Sequence, residues 1–393
     1  MGAVWFALAF AACKGGDDHD KPHTDDTEVD DSDDTAPPAD DDGDGYTTEE
    51  DCDDGDAAVN PAATELCDLV DNNCDGTADE GLAACFYGTD GSAASVEDLL
   101  AAGVETAPAE LVLSSSGRLV LGAGEWFTSL RISADVTIEG AGVDETTLSS
   151  GALLSLVVIE DNPTAPYAVQ ISGLSLVDGA GSQTDPDTNR SQVGGAIFCR
   201  STASSPTQVT LNDVAVSETS AQFGSLAYAT GCVLSFNDST FVGVAESVAS
   251  KDGGALYLIR SDVTLTNVSL TGYHATRYGG AVYADLNSSF TMIDSVVSDN
   301  SAGSIGGHFF SFGPVVCEGS TAAAGVRGGV SDDIGGGVYL GDDLNATVTS
   351  TGCDWGSGGD DNSPDDIASD YYSGEQFSTE SFTCDAYNGC TAG

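Results

Sequence analysis

Asp40, Asp42 and Asp44 stand at alternate positions, and Gly45, Tyr46, Thr48 and Asp51 follow within the next seven residues. Alternate carboxylates on a turning backbone bring their oxygens to one point, and a glycine in sixth place permits the angle such a turn needs. With the Tyr46 carbonyl in seventh place, Thr48 in ninth and Asp51 in twelfth, the spacing is that of a loop for a hard cation. Asp51 is shorter than the glutamate that usually closes such a loop. A second loop repeats the logic through Asp71, Asn73, Asp75 and Gly76, then Asp79 and Glu80, but its twelfth place is Leu82. Between the two, Asp53, Asp54, Asp56 and Asn60 form a third oxygen-rich cluster. Hard oxygens without His or Met select Ca²⁺ over copper. The plain alternative, a solvated acidic loop, does not require Gly and Asp in this register.

The first of these segments, 40–51, resembles the calcium loop of the EF-hand. The whole stretch DDDGDGYTTEEDCDDGDAAVNPAATELCDLVDNNCDGTADEG resembles the Asp-rich metal-binding motif of bacterial surface proteins, the MopE-type repeat, a family whose name is associated with copper. So few apolar residues lie in 40–85 that hydrophobic burial alone cannot fold it, and metal and disulfides must supply the difference. Cys52, Cys67, Cys74 and Cys85 allow three pairings that the sequence does not separate.

The rest of the chain must hold this module in place. The 393 residues include 64 acidic and 10 basic side chains, a formal charge of −54. That balance excludes nucleic acid as a partner, because a phosphate polyanion needs a basic face. Past the first dozen residues no apolar run approaches the roughly 20 needed to span a bilayer. Apolar residues still make up 40% of the chain, enough for a core, and the abundance of Gly, Ser, Thr and Val points to extended β structure.

Glycine-led segments recur: GGAIF (Gly194–Phe198), GSLAY (Gly224–Tyr228), GGALY (Gly253–Tyr257), GGAVY (Gly279–Tyr283), GGHFF (Gly306–Phe310) and GGGVY (Gly335–Tyr339). Their starts lie 30, 29, 26, 27 and 29 residues apart. Strands of a second type, such as VTLNDVAV (Val209–Val216) and VTLTNVSL (Val263–Leu270), fall between them. A period just under 30 with short alternating strands fits neither leucine-rich nor helical repeats. It predicts an all-β coil of three short strands per turn, stacked in parallel. Alternation turns Ile197/Cys199, Leu256/Leu258 and their equivalents inward. It turns Phe198, Tyr228, Tyr257, Tyr283, Phe310 and Tyr339 outward as a ladder of rings about 4.8 Å apart. Two uses of the ladder stay open: a platform for sugar rings, or a strip that stiffens the sheet beneath a loop.

These segments resemble the polymorphic outer-membrane protein repeat within the right-handed, single-stranded parallel β-helix of the pectin-lyase-like class, over 91–353. The resemblance implies a surface protein used for binding or adhesion to polysaccharide or matrix. Its alternative implication is a polysaccharide lyase or glycoside hydrolase. Arg200, Arg260 and Arg277 lie near the glycine strands, as do Asp252, Asp285, Asp332 and Asp342, but nothing repeats in register to bring an acid, a base and a metal together. No catalytic residue is assigned. His308 reads as a surface filler.

Met1–Ala12 is a short apolar run ending at Cys13 and resembles a bacterial lipoprotein signal with its lipobox, which implies lipidation of Cys13 and anchoring at the outer surface of the cell envelope. Removing Cys13 leaves ten cysteines of the original 11, an even set suited to disulfides in an exported protein. Cys199 with Cys232 and Cys317 with Cys353 lie about one coil apart, and Cys384 with Cys390 can close a small loop. Residues 14–39 read as a disordered acidic tether. Ser95–Ala102 reads as a short helix with a capping pair, Ser95 and Asp98, and 354–393 as an Asp/Cys-rich cap in which Asp360, Asp361, Asn362, Asp365 and Asp366 form a further oxygen cluster.

Overall fold

The computed structural model describes residues 39–244, 250–320, 324–372, 374–377 and 381–392. Cys13 and the tether up to residue 38 lie outside the described residues. Short strands rich in Val, Ile, Leu and Thr alternate inward and outward, and almost all regular structure is β. Through the coils, strands pair in parallel with the strand one repeat further along the chain. One face runs Val157–Ile159, Ile197–Arg200, Ala227–Thr230, Leu256–Ile259, Val282–Ala284, Phe309–Ser311, Val338–Leu340 and Ile367–Ser369. A second runs Thr207–Ser217, Cys232–Asn237, Asp262–Thr266, Ser289–Ile293, Pro314–Glu318 and Thr347–Thr351. A third joins Ser250–Asp252, His274–Tyr278, Ser301–Ala302 and Val330–Ser331. This stack of coils is the arrangement of a parallel β-helix. Its first face continues to Ser369, one rung past residue 353.

The coil has one corner more than three simple strands would give. The second face bends where Asp213, Asp238, Asn267 and Asp294 adopt left-handed φ of 48° to 56°, a conformation that Asn and Asp tolerate better than other side chains. Beyond the bend it continues as Thr240–Val242, Ser269–Thr271 and Val296–Ser298. The glycine pair makes another corner for two separate reasons. The first glycine has positive φ, +59° at Gly253 and +62° at Gly279. The second lies against the next coil, so that a Cβ on Gly254 or Gly280 would strike the carbonyl oxygen of Gly280 or Gly307.

Inside the coils, Leu211, Leu234, Leu256, Leu265, Val282, Phe290, Phe309 and Val338 are fully or almost fully buried in one continuous core. Cys199–Cys232 and Cys317–Cys353 each join adjacent coils. Antiparallel hairpins close both ends and blunt the sheet edges. At one end Ala84–Gly88 pairs with Ala93–Ser95 and with Gly117–Leu121. At the other, Phe382–Asp385 and Gly389–Ala392, joined by Cys384–Cys390, pair onto Thr347–Thr351. The helix is shorter than Ser95–Ala102: it spans Glu97–Ala101, follows Val96 without a side-chain cap, and buries Leu100. The Ser95 hydroxyl accepts the Glu97 amide at 3.4 Å and donates to the Ala84 carbonyl at 3.5 Å.

Candidate metal centre

In the first loop each aspartate uses one oxygen to hold the turn. The Gly43 amide donates to Asp40 Oδ1 at 2.7 Å, the Asp44 amide to Asp42 Oδ1 at 3.1 Å and the Tyr46 amide to Asp44 Oδ1 at 2.8 Å. The Asp53 amide donates to Asp51 Oδ1 at 2.9 Å. Gly43 and Gly45 carry φ of +82° and +103°, and a Cβ at either would meet nothing, so backbone angle rather than space calls for glycine there. The second oxygens of Asp42, Asp44 and Asp51 are shielded from solvent and have no hydrogen-bond partner. Carboxylate oxygens of Asp40, Asp42 and Asp44 lie within 4.8 Å of one another. Desolvation pushes Asp42 above the ordinary carboxylate range. The Asp44 amide opposes that rise, and the charges of Asp44, Asp51 and Asp40 add to it. Shielded anions without partners are costly, and a hard cation among them removes that cost. The donor set fits one. Tyr46 is half-buried; Thr48 is exposed and its amide donates to the Ala39 carbonyl.

The second loop is built the same way. Asp71 accepts the amides of Asp75 at 3.1 Å and Gly76 at 2.7 Å, Asn73 Oδ1 accepts that of Asp75 at 3.0 Å, and Asp75 Oδ1 accepts that of Thr77 at 3.0 Å. Glu80 Oε1 accepts from Asn73 Nδ2, and Glu80 Oε2 is shielded and partnerless. Asp79 has a different task. It accepts the amides of Asp68 and Leu69 and, at 2.8 Å, the Tyr87 hydroxyl, which ties the module to the first hairpin of the coils. Desolvation, then the Asp79 hydrogen bond and charge, push the Tyr87 hydroxyl up to about 12.

The third cluster divides. Asp54 Oδ1 accepts the Asp41 amide at 3.2 Å and its Oδ2 is shielded and partnerless, so Asp54 joins the first loop. Asp56 and Asn60 instead accept the amides of Ala58 and Ala62 in turns of their own, and Asp53 is exposed. Two organising residues carry no motif. Glu65, 6% exposed, accepts the amides of Asn73 and Asp79, both at 2.8 Å, and Asn72, 1% exposed, accepts that of Leu66. A Glu in a short run of small and apolar residues was the available signal. The pairings are Cys52–Cys74 and Cys67–Cys85. The first fastens the end of loop one to the middle of loop two, and its sulfurs, though close to Asp51, are oxidised and so are not thiolate ligands.

The ring ladder is stacked and largely covered. Its members stack on one another, from Phe198–Tyr228 at 6.0 Å and 12° to Tyr257–Tyr283 at 4.6 Å and 4° and Phe310–Tyr339 at 5.2 Å and 15°. The ring faces a sugar would need are therefore taken by neighbouring rings. Phe198, Tyr228, Tyr257, Phe310 and Tyr339 are buried and Tyr283 is half-buried. The hairpin Gln183–Asp185/Arg190–Val193 reaches the upper rungs: Asp185 accepts the Tyr228 hydroxyl at 2.7 Å, and the Arg190 guanidinium lies 4.8 Å from the Tyr257 ring centre.

His308 is not at the surface either. It is fully buried, with Nδ1 against Asn300 Nδ2 at 2.9 Å and Nε2 against the Arg327 carbonyl at 3.0 Å. The C-terminal oxygen cluster is likewise structural at its centre, where buried Asn362 donates to the Val326 and Trp355 carbonyls and to Asp366. Arg200 is held by Asp161, Asp187 and buried Asp185, and Arg277 by Asp252.

Five disulfides among the described residues mark a protein of non-reducing compartments, extracellular or periplasmic, and no described helix is long and apolar enough to cross a membrane. Fold and site together define a nearly all-β, disulfide-bonded protein of parallel coils with a metal-binding motif. Residues 51–80 match the family model Cu-binding MopE, described as "Putative metal-binding motif". No curated protein and no solved structure matches the chain.

Proposed function

We propose that the chain is an exported calcium-binding surface protein. Its coils form a right-handed β-helix of the pectin-lyase-like class, attached to the envelope through Cys13, that presents its outer surface to polysaccharide or matrix. In this reading Asp40, Asp42, Asp44, the Tyr46 carbonyl, Thr48, Asp51 and Asp54 surround one ion. Asp71, Asn73, Asp75 and Glu80 surround a second. Bound metal fixes the two loops, which Asp79 and the Cys67–Cys85 disulfide join to the base of the coils. The observation that carries the reading is the set of shielded, partnerless oxygens on Asp42, Asp44, Asp51, Asp54 and Glu80.

The family name points to copper, but an all-oxygen donor set favours Ca²⁺. Calorimetric titration of the metal-free protein tests this. Ca²⁺ is expected to bind at two sites, with the first weakened at least tenfold in Asp51→Asn. Binding of Cu²⁺ but not Ca²⁺, or calcium binding indifferent to Asp51→Asn, would overturn the assignment.

A further inference from the structure

The ladder edge has two stretches with different surroundings. Along the upper rungs the chain supplies its own cations: Arg190 lies 5.2 Å from the Phe223 ring centre as well as close to Tyr257, and the Lys251 ammonium lies 5.8 Å from Phe223. Further along, the edge opens into a hollow of about 300 Å³ where five rings, those of Tyr278, Tyr283, Phe310, Phe312 and Tyr339, line the walls. Phe312 stands at 73° to Phe310 and 67° to Tyr283, so its ring forms a wall across the ladder rather than another rung. It can lie there because the residue beneath is Gly341, where a Cβ would strike the ring. Tyr278 closes the other side, stacked on Phe310 at 4.9 Å.

The polar groups of the hollow are acceptors and phenols. Asp342 and Asp370 stand at its rim, and no basic residue is part of its lining. Asp342 is held in place by the hydroxyls of Tyr371 at 2.9 Å and Tyr387 at 2.8 Å. The Tyr339 hydroxyl sits against Asp370, and desolvation together with that carboxylate keeps it protonated. Arg277 lies 5.3 Å from the Tyr278 ring, but Asp252 holds its guanidinium. A ligand here must bring the positive charge itself, and it meets the Phe312 ring set across the rims of the stacked rings, with carboxylates beside them. That is the chemistry of alkylated ammonium recognition. A neutral sugar fits less well, because no amide, ammonium or guanidinium donor lines the hollow to meet its oxygens. The net charge of −54 adds a general attraction for cations.

We propose that the hollow between Tyr278 and Phe312, with Asp342 and Asp370 at its rim, binds a quaternary or N-methylated ammonium group. Saturation-transfer NMR on the intact protein, with choline as the probe and 3,3-dimethylbutan-1-ol as its uncharged isostere, tests this. Choline is expected to bind saturably and at least tenfold more tightly than the alcohol. Binding should fall at least tenfold in Phe312→Ala and severalfold in Asp370→Asn, an exposed rim change that leaves the tyrosine pair on Asp342 in place. Equal binding of choline and the alcohol, choline binding indifferent to both variants, or binding of glucose in preference to choline would overturn the proposal.

Discussion

The module at 40–85 and the coils that follow it reach order by opposite means. In the module the described residues before Ala84 include only two buried apolar side chains, Val59 and Cys67, while Asp51, Glu65 and Asn72 are buried beside them. Two disulfides and a lattice of carboxylate-to-amide hydrogen bonds hold the loops. In the coils every rung buries aliphatic and aromatic side chains against the next in one continuous core. A region without a greasy interior depends on cross-links and a bound cation for its fold, whereas a stacked core sustains itself by nearest-neighbour contact. The two regions should therefore fail independently, under different stresses.

The largest separation is expected from a core truncation. Leu265→Ala, at a fully buried position in the second face, should cost the coils about 2–5 kcal/mol in chemical denaturation while calcium affinity stays at its wild-type value. A parallel loss of metal binding would mean that the regions are not independent.

Next comes acid. Burial lowers His308 to about 4, against partial support from the Arg327 carbonyl, the Asp299 charge and Asn362. The folded chain thus keeps this ring neutral, while the unfolded chain protonates it near its ordinary 6.5. The associated stability is complete above pH 6.5 and is lost as pH falls towards 4, by about 3 kcal/mol. Asp366, pushed by burial to about 7, titrates in the opposite sense, so wild type is best compared with His308→Gln. The stability difference between them should shrink by that amount from pH 7 to pH 4, and a difference independent of pH would contradict the assignment.

The smallest effect sharpens the module itself. Asp54→Asn should weaken calcium binding about tenfold, roughly 1.4 kcal/mol, and Asp56→Asn should leave it unchanged, although only Gly55 separates the two in the sequence. Isothermal titration of both variants checks this.

What could be read beforehand was whatever the local backbone dictates. Glycine pairs at a fixed period report left-handed corners and close coil contact, so the parallel stack and the inward set at Leu256/Leu258 were legible. The same alternation gave the outward direction of Tyr228 and Tyr257. Their burial was not legible, because the cover comes from a hairpin at 183–193 that occurs once and from residues before the glycines, Phe223, Tyr278, Ile305 and Ile334, that share no single type. In the module, spacing revealed both loops, since Asp-to-amide turns are local. That Asp54 faces Asp41, that Asp79 turns to Tyr87 and that Glu65 supports Asn73 follow from how Cys52–Cys74 and Cys67–Cys85 fold the segment back on itself. Those pairings were among three open ones. His308 misled for a similar reason: its partner Asn300 stands eight residues back across a corner of the coil, and Arg327 belongs to the next turn.

The dependence of the module on a bound ion, with the coils indifferent to it, is tested most directly by hydrogen exchange of the intact protein in calcium and again after chelation. Amides across 40–83 are expected to lose at least a hundredfold of their protection when the metal is removed, with peptides from 207–217 and 262–266 unchanged. Equal protection of the module in both states, or loss that begins in the coils, would contradict it.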